Sequence, residues 1–367
     1  MIKYKNWKLI FIIFVVLLNC IPYIQKGTLR KHVRVAIVCG ADYVKITGKK
    51  GNELYNDFVV SLSAKFPLYF NSHNKPVEVN GKKYRGTLEI HNIEQKIWVI
   101  NILDVEDYLK GVVPCEIGKI SINLIEVAKA QAVAARTYVY AHLNQYQELG
   151  FDLYADTRDQ IYAGVAVEHQ LTSWAIEQTD REILTFRGQP IDAKYSSTCG
   201  GITANFSDIW IGESPPYLTS IVCRYCKKSP YYTWSEKIGK KEFFINLRQG
   251  LKQVGIILSK EELIQDFRFI RNRKSQRVNK VIITTTNGEY EIKNYQVRRV
   301  FGDGTDLRSS YFFLQPEGDS IIIAGRGYGH GVGMCQFGAI EMARMGKTYQ
   351  EILRFYYPET KMVRVKY

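Results

Sequence analysis

Two places in this chain set reactive side chains in surroundings that would change their chemistry. The first is Glu116, in Val112-Val113-Pro114-Cys115-Glu116-Ile117. A carboxyl among apolar neighbours is partly desolvated. Its pKa then rises towards neutrality, and it can give and take a proton as general acid and base. The plainer alternative is a helix-entry glutamate serving the dipole of the helix that follows. The second place is Gly325 to Tyr357, where six glycines fall between Gly325 and Gly338. Such a run admits positive φ and close approach by a ligand or another backbone. Within it, His330 stands between Gly329 and Gly331, and Cys335 and Gln336 follow. His330 either orients an acid, binds a ligand hydroxyl or caps the glycine loop. Gln336 offers a donor and an acceptor to hydroxyl groups, or is simply the first polar residue of a helix.

The elements that must position these groups are legible from periodicity. After the glycines, Ala339, Met342 and Ala343 mark a helix, and Gly346 is its stop. Thr348 with Glu351 forms a capping box for a last helix, ended by Pro358. Residues 31–103 read as mostly β, with a hairpin at Asn80-Gly81. A long helix is predicted from about Asn123, capped by Asn123 with Glu126, with Leu124, Ala128, Ala132, Ala135 and Val139 on its buried stripe. Arg136 at the edge of that stripe is either a snorkelling surface residue or a buried carboxylate partner. A second helix is expected from Glu168 to Thr179, then a hairpin at Arg187-Gly188. After it a strand runs through Tyr195, Ser196 and Ser197 into the turn Cys199-Gly200-Gly201. From Phe206 the character changes, with Pro215-Pro216, Cys223-Arg224-Tyr225-Cys226 and helix-like stretches at Lys240–Gly250 and Lys260–Phe267, so an inserted subdomain is expected. The fold class is α+β.

The chain has 367 residues, a net charge of +14 and a hydrophobic fraction of 46%, enough for a large core and two or three domains. The charge favours polyanionic or carboxylate-bearing partners. No zinc-finger spacing, basic heptad or aromatic RNP-like motif is present, so nucleic acid is not an expected partner. Lys3, Lys5 and Lys8 precede an apolar run from Leu9 to Leu18, about half a membrane span. A signal peptide or short N-terminal anchor over residues 1–27 fits, with export to the periplasm or the outer face of the cytoplasmic membrane. There are seven cysteines, and disulfides are allowed outside the cytoplasm. The Cys223/Cys226 pair lacks a second ligand pair nearby in sequence, so a local disulfide or a bond to Cys199 competes with metal. No metal or other cofactor is expected.

Several motifs in order carry a resemblance. Val113-Pro114-Cys115-Glu116 is followed by Ala130-Gln131-Ala132-Val133-Ala134-Ala135-Arg136-Thr137-Tyr138. Next come Ser197-Thr198-Cys199-Gly200-Gly201 and Gly327-Tyr328-Gly329-His330-Gly331-Val332-Gly333-Met334-Cys335-Gln336-Phe337-Gly338-Ala339. Together they resemble the SpoIID/LytB family, stage II sporulation protein D and the amidase enhancer LytB, from about residue 95 to 360. The match is weakest across 206–290.

The resemblance implies an exported peptidoglycan lytic transglycosylase acting on glycan strands freed of their stem peptides, with Glu116 as the catalytic acid. Some members hold zinc in a cysteine-bearing loop; the matching loop here, Asp156 to Gln160, has no cysteine. Glycoside cleavage usually takes two carboxyls. A lytic transglycosylase manages with one, because the sugar's own C6 hydroxyl closes a 1,6-anhydro ring. His330, Gln336, Tyr195, Ser196, Ser197, Arg136, Gly329 and Gly331 are then candidates for binding the substrate. The LytB branch implies the alternative, a non-catalytic wall-binding activator of an N-acetylmuramoyl-L-alanine amidase. A cysteine hydrolase using Cys199 or Cys335 with His330 is a third reading. The expected layout is 28–103 β-rich, 104–205 the first half of the core, 206–290 inserted, and 291–367 the second half.

Overall fold

The computed structural model describes residues 30–71, 75–302 and 307–367. The expected leader at 1–27 lies outside them. Alternating apolar residues over 32–104 build one sheet of eight strands. These are β1 (His32–Ala41), β2 (Tyr43–Lys50), β3 (Glu53–Ser61), β4 (Leu68–Asn71), β5 (Val77–Val79), β6 (Lys82–Tyr84), β7 (Thr87–Ile93) and β8 (Lys96–Asp104), with β9 (Leu153–Tyr154) added at one edge. The order is β6-β5-β2-β4-β7-β8-β1-β9, with β3 also paired to β2. Asn80 and Gly81 both take positive φ in the β5–β6 turn, as that dipeptide favours. Val33, Val35, Leu88, Ile90 and Val99 face one side and are fully buried.

Against that side pack α1 (Val105–Ile117) and α2 (Ile125–Ala141), with α3 (Gln170–Gln178) behind them. Every residue of α2 from Val127 to Tyr140 is buried except Lys129, so its apolar surface is no single stripe. Its alanines permit this by keeping neighbours close. Ala132, Ala135 and Val139 belong to the core beneath the sheet. Ala130, Val133 and Ala134 belong to a second core with Val332, Met334, Ala339, Ile352 and Leu353. The helix starts at Ile125, after a short 3-10 turn over Ile122–Leu124, and Asn123 does not cap it. Glu126 accepts the Tyr349 N–H at 2.8 Å instead.

The short α4 (Phe206–Ile209) opens the region of different character. Beyond it, α5 (Lys240–Gln253) and α6 (Tyr295–Phe301) lie with two three-stranded sheets. One sheet pairs Trp234–Gly239 with Ser320–Gly325, which pairs in turn with Phe312–Glu317. Its core runs from Trp234 to Ile323, so the unit closes beyond residue 290, where the composition alone drew the boundary. Ile264–Arg271 is a strand, not the helix expected over 260–267. Its alternating Phe267 and Phe269 pack on Phe301, and that contact decides the matter over local propensity. The chain ends with α7 (Gln336–Arg344) and α8 (Tyr349–Tyr356), the latter closed by the Thr348/Glu351 capping box. Strand Lys361–Arg364 then pairs with Glu182–Phe186. The architecture is mixed α+β with a β-rich N-terminal part. Among the described residues, no helix is long and apolar enough to cross a membrane.

Candidate active site

Asp104 caps α1 by accepting the Glu106 N–H at 2.8 Å, and Gly118, at φ +70, ends it. Gly111 has no room for a side chain, because a Cβ there would come within 2.5 Å of the Tyr162 ring. These constraints place Glu116 in the last turn of α1. It is therefore a helix-exit residue, and its carboxylate meets the negative end of the helix dipole. The helix-entry alternative does not hold. Glu116 is half-buried, and burial pushes its carboxyl above the usual range. The Gln336 amide, the Ile161 backbone and the Tyr195 phenol pull partly the other way.

Gln336 supplies the direct contact. Its Nε2 donates to Glu116 Oε2 at 3.1 Å and lies 3.5 Å from Gln131 Oε1. Gln336 begins α7, and its backbone is held by the preceding strand, where Tyr195 and Ser196 pair in parallel with Met334 and Cys335. Gly333, at φ +71, makes this pairing feasible, since a Cβ there would sit 2.0 Å from the Lys194 carbonyl. The Phe337 N–H then donates to the Ser197 carbonyl at 3.0 Å. Gln131 was not among the residues singled out by sequence. It is fully buried on α2 and its Nε2 has no partner. The available signal was a polar residue inside an otherwise alanine-rich buried run.

Tyr195 has its hydroxyl sheltered beside Glu116, close enough to ease the carboxylate's charge yet making no hydrogen bond of ordinary geometry. Ser196 is buried and its Oγ accepts the Gly331 N–H at 3.1 Å, so it fastens the glycine loop. Gly329 packs on it, with 3.0 Å from a notional Cβ to Ser196 Cβ. Ser197 is half-buried, with its Oγ 3.4 Å from Thr198 Oγ1.

His330 faces elsewhere. Its Nδ1 accepts the Val332 N–H at 3.0 Å, so the proton of the neutral ring sits on Nε2. Burial lowers its pKa to about 3, with Lys194 adding to the effect, and the ring is neutral. Its ring centroid lies 5.1 Å from that of Trp210, at a cavity of about 380 Å³ lined also by Asn294, Tyr295, Arg298 and Arg299. Among the described residues, no hydrogen bond or ion pair joins His330 to Glu116. Cys199 and Cys335 turn their sulfurs to each other and to Cys223 and Cys226, not to His330.

Arg136 requires a correction. It is fully buried and forms a two-pronged pair with Glu106 at 2.7 and 2.6 Å, and it also donates to the Glu182 carbonyl at 3.1 Å. It neither meets Glu116 nor offers a surface to substrate.

Comparisons with known proteins place the chain in a family. A family model described as stage II sporulation protein matches residues 93–186, which carry α1, α2 and Glu116. Stage II sporulation protein D of Bacillus subtilis is 31% identical over 278 residues, covering 71% of this chain and 74% of that protein. The chain belongs to the stage II sporulation protein D family. An uncharacterized protein of Brachyspira hyodysenteriae is 32% identical over 76% of this chain and 72% of its own length. The amidase enhancer of Bacillus subtilis is 29% identical over 86% of this chain, which spans only 49% of that protein. Residues 224–333 match a domain of unknown function, DUF8618, over the unit whose core runs from Trp234 to Ile323.

Proposed function

We propose that this family member is an exported lytic transglycosylase, cleaving peptidoglycan glycan strands that have lost their stem peptides. The observation that carries the reading is Glu116, half-buried at a helix C-terminus with its carboxyl pushed above the usual range and the Gln336 amide fixing one oxygen. Such a group keeps its proton to higher pH, protonates the leaving glycosidic oxygen, and then accepts the proton of the sugar's C6 hydroxyl as the 1,6-anhydro ring closes. Gln131, fully buried behind the site, backs the Gln336 amide from 3.5 Å and helps hold it against Glu116. Trp210 and Tyr295, with Arg298 and Arg299 in the same cavity, match a pyranose face and a free lactyl carboxylate. The net charge of +14 favours the same anionic strand.

The test is mass spectrometry of denuded glycan strands incubated with wild type and with Glu116→Gln. Anhydro-ended fragments from wild type alone are the expected result. Reducing ends would indicate hydrolysis and a missed second carboxylate. The similarity to the amidase enhancer favours a second reading, a wall-binding activator of an amidase. Strand binding and amidase stimulation that survive Glu116→Gln, with no cleavage by wild type, would establish that reading instead.

A further inference from the structure

Four cysteines that are scattered in sequence meet at one point. Cys199 lies in the turn after strand Tyr195–Ser196, Cys223 and Cys226 flank Arg224-Tyr225, and Cys335 immediately precedes α7. Their four sulfurs all lie within 4.8 Å of one another, and each residue is at most 1% exposed. Cys199 Sγ and Cys226 Sγ are 3.5 Å apart. Zinc–thiolate bonds of about 2.3 Å in a tetrahedron put the sulfurs about 3.8 Å apart, so the cluster matches that spacing. A disulfide needs about 2.05 Å, and none is formed among these residues.

The surroundings suit thiolates. The Cys199 N–H points at Cys335 Sγ from 3.2 Å, and the buried Tyr356 hydroxyl is 3.2 Å from Cys223 Sγ. Donors of this kind orient and tune metal-bound sulfur. Gly338 lets α7 come this close, since a Cβ there would stand 2.0 Å from the Tyr356 oxygen and 3.0 Å from Cys223 Sγ. A cation also waits beside the cluster. Arg277 is fully buried and donates to the Cys199 carbonyl at 2.9 Å, while its Nε and Nη1 have no partner. Asp208, the carboxylate that acts on it, is occupied by Ser275 and the Asn205 N–H. A buried cation needs a counter-charge. A zinc ion held by four thiolates carries two net negative charges and would supply it.

We propose that Cys199, Cys223, Cys226 and Cys335 bind one zinc ion as a closed tetrathiolate centre. Loading exchanges four thiol protons for one zinc ion and moves no electrons. With all four positions taken by protein, the ion has no open site for catalysis and its role is structural. It ties the turn after Ser196, the Cys223–Cys226 loop and the start of α7 into one knot, and Gln336 is the residue next to Cys335. The inference does not depend on the transglycosylase reading.

The test uses the full-length protein purified without added metal or chelator. Elemental analysis should find one zinc per chain, with the four thiols resisting alkylation until the protein is denatured with chelator. Exchange of zinc for cobalt in the wild type should produce the intense visible bands of a tetrahedral thiolate site, and this needs no variant to fold. Cys226→Ser and Cys335→Ser should lose at least tenfold in zinc retention against a competing chelator, while Cys39→Ser, at an exposed position outside the cluster, keeps its zinc. Two disulfides in place of zinc would overturn the proposal. So would iron in its place, or zinc retained undiminished in both cluster variants.

Discussion

The pairing of Arg136 with Glu106 makes a prediction that separates a structural arginine from a substrate-binding one. The perturbation is Glu106→Gln, which keeps the shape of the side chain and removes its charge. Arg136 would remain fully buried with only the Glu182 and Ile176 carbonyls as firm acceptors. Breaking a buried ion pair by removing one partner costs about 3–5 kcal/mol. The Glu106 side chain is 22% exposed, so water reaches part of the defect and the lower end, about 3 kcal/mol, is expected. Arg136→Met removes the buried charge and leaves Glu106 able to turn towards solvent, at about 2 kcal/mol. The double variant holds neither charge and should be no less stable than Arg136→Met. The cycle then gives a coupling of about 3 kcal/mol in magnitude. The assay is urea unfolding followed by circular dichroism and fluorescence, with coincident transitions and an unchanged slope supporting the two-state treatment. The reasoning is refuted if Glu106→Gln costs less than about 1 kcal/mol, the range of an exposed pair. Loss of glycan binding by a folded Arg136→Met would then return Arg136 to the binding surface.

Two further outcomes follow from the site itself. Because burial raises the folded-state pKa of Glu116 above its unfolded value, the folded chain holds a proton that the unfolded chain has lost, and stability falls as pH rises through the folded value. Glu116→Gln should therefore melt higher than wild type at pH 8, with the gap closing below the ordinary glutamate value of 4.5; a constant gap across pH would show that desolvation is not the cause. Gly331→Ala should cost about 2–4 kcal/mol, since its φ is +78 and the new Cβ would meet Arg277 Nη2 at 2.1 Å, whereas Gly118→Ala, at φ +70 in open space, should cost about 1–2 kcal/mol. Equal melting-temperature losses for the two would contradict the close packing of the glycine loop on Arg277.

Signals confined to a few neighbouring residues were legible in the sequence. The Asn80-Gly81 and Arg187-Gly188 hairpins, the Gly346 stop and the Thr348/Glu351 box all appear where their backbone chemistry demands them. The apolar setting of Glu116, and its match to the family motif, were likewise legible. Which residues would surround it was not. The Gln336 amide reaches Glu116 from 220 positions away, and Gln131 joins them only because α2 is buried on both sides. Arg136 had two readings until packing supplied Glu106. Ile264–Arg271 has no strand identity apart from its neighbours Val278–Thr285 and Phe301. The cysteines make the difference plainest. The Cys223–Cys226 pair shows half of a ligand set, and the other half comes from Cys199 and Cys335 through the folding of separate loops. Turn and cap preferences act over three or four residues, so a sequence determines them by itself. A partner for a buried charge or a sulfur is chosen by three-dimensional packing, where burial makes every unpaired polar group costly and tertiary structure alone decides which groups meet.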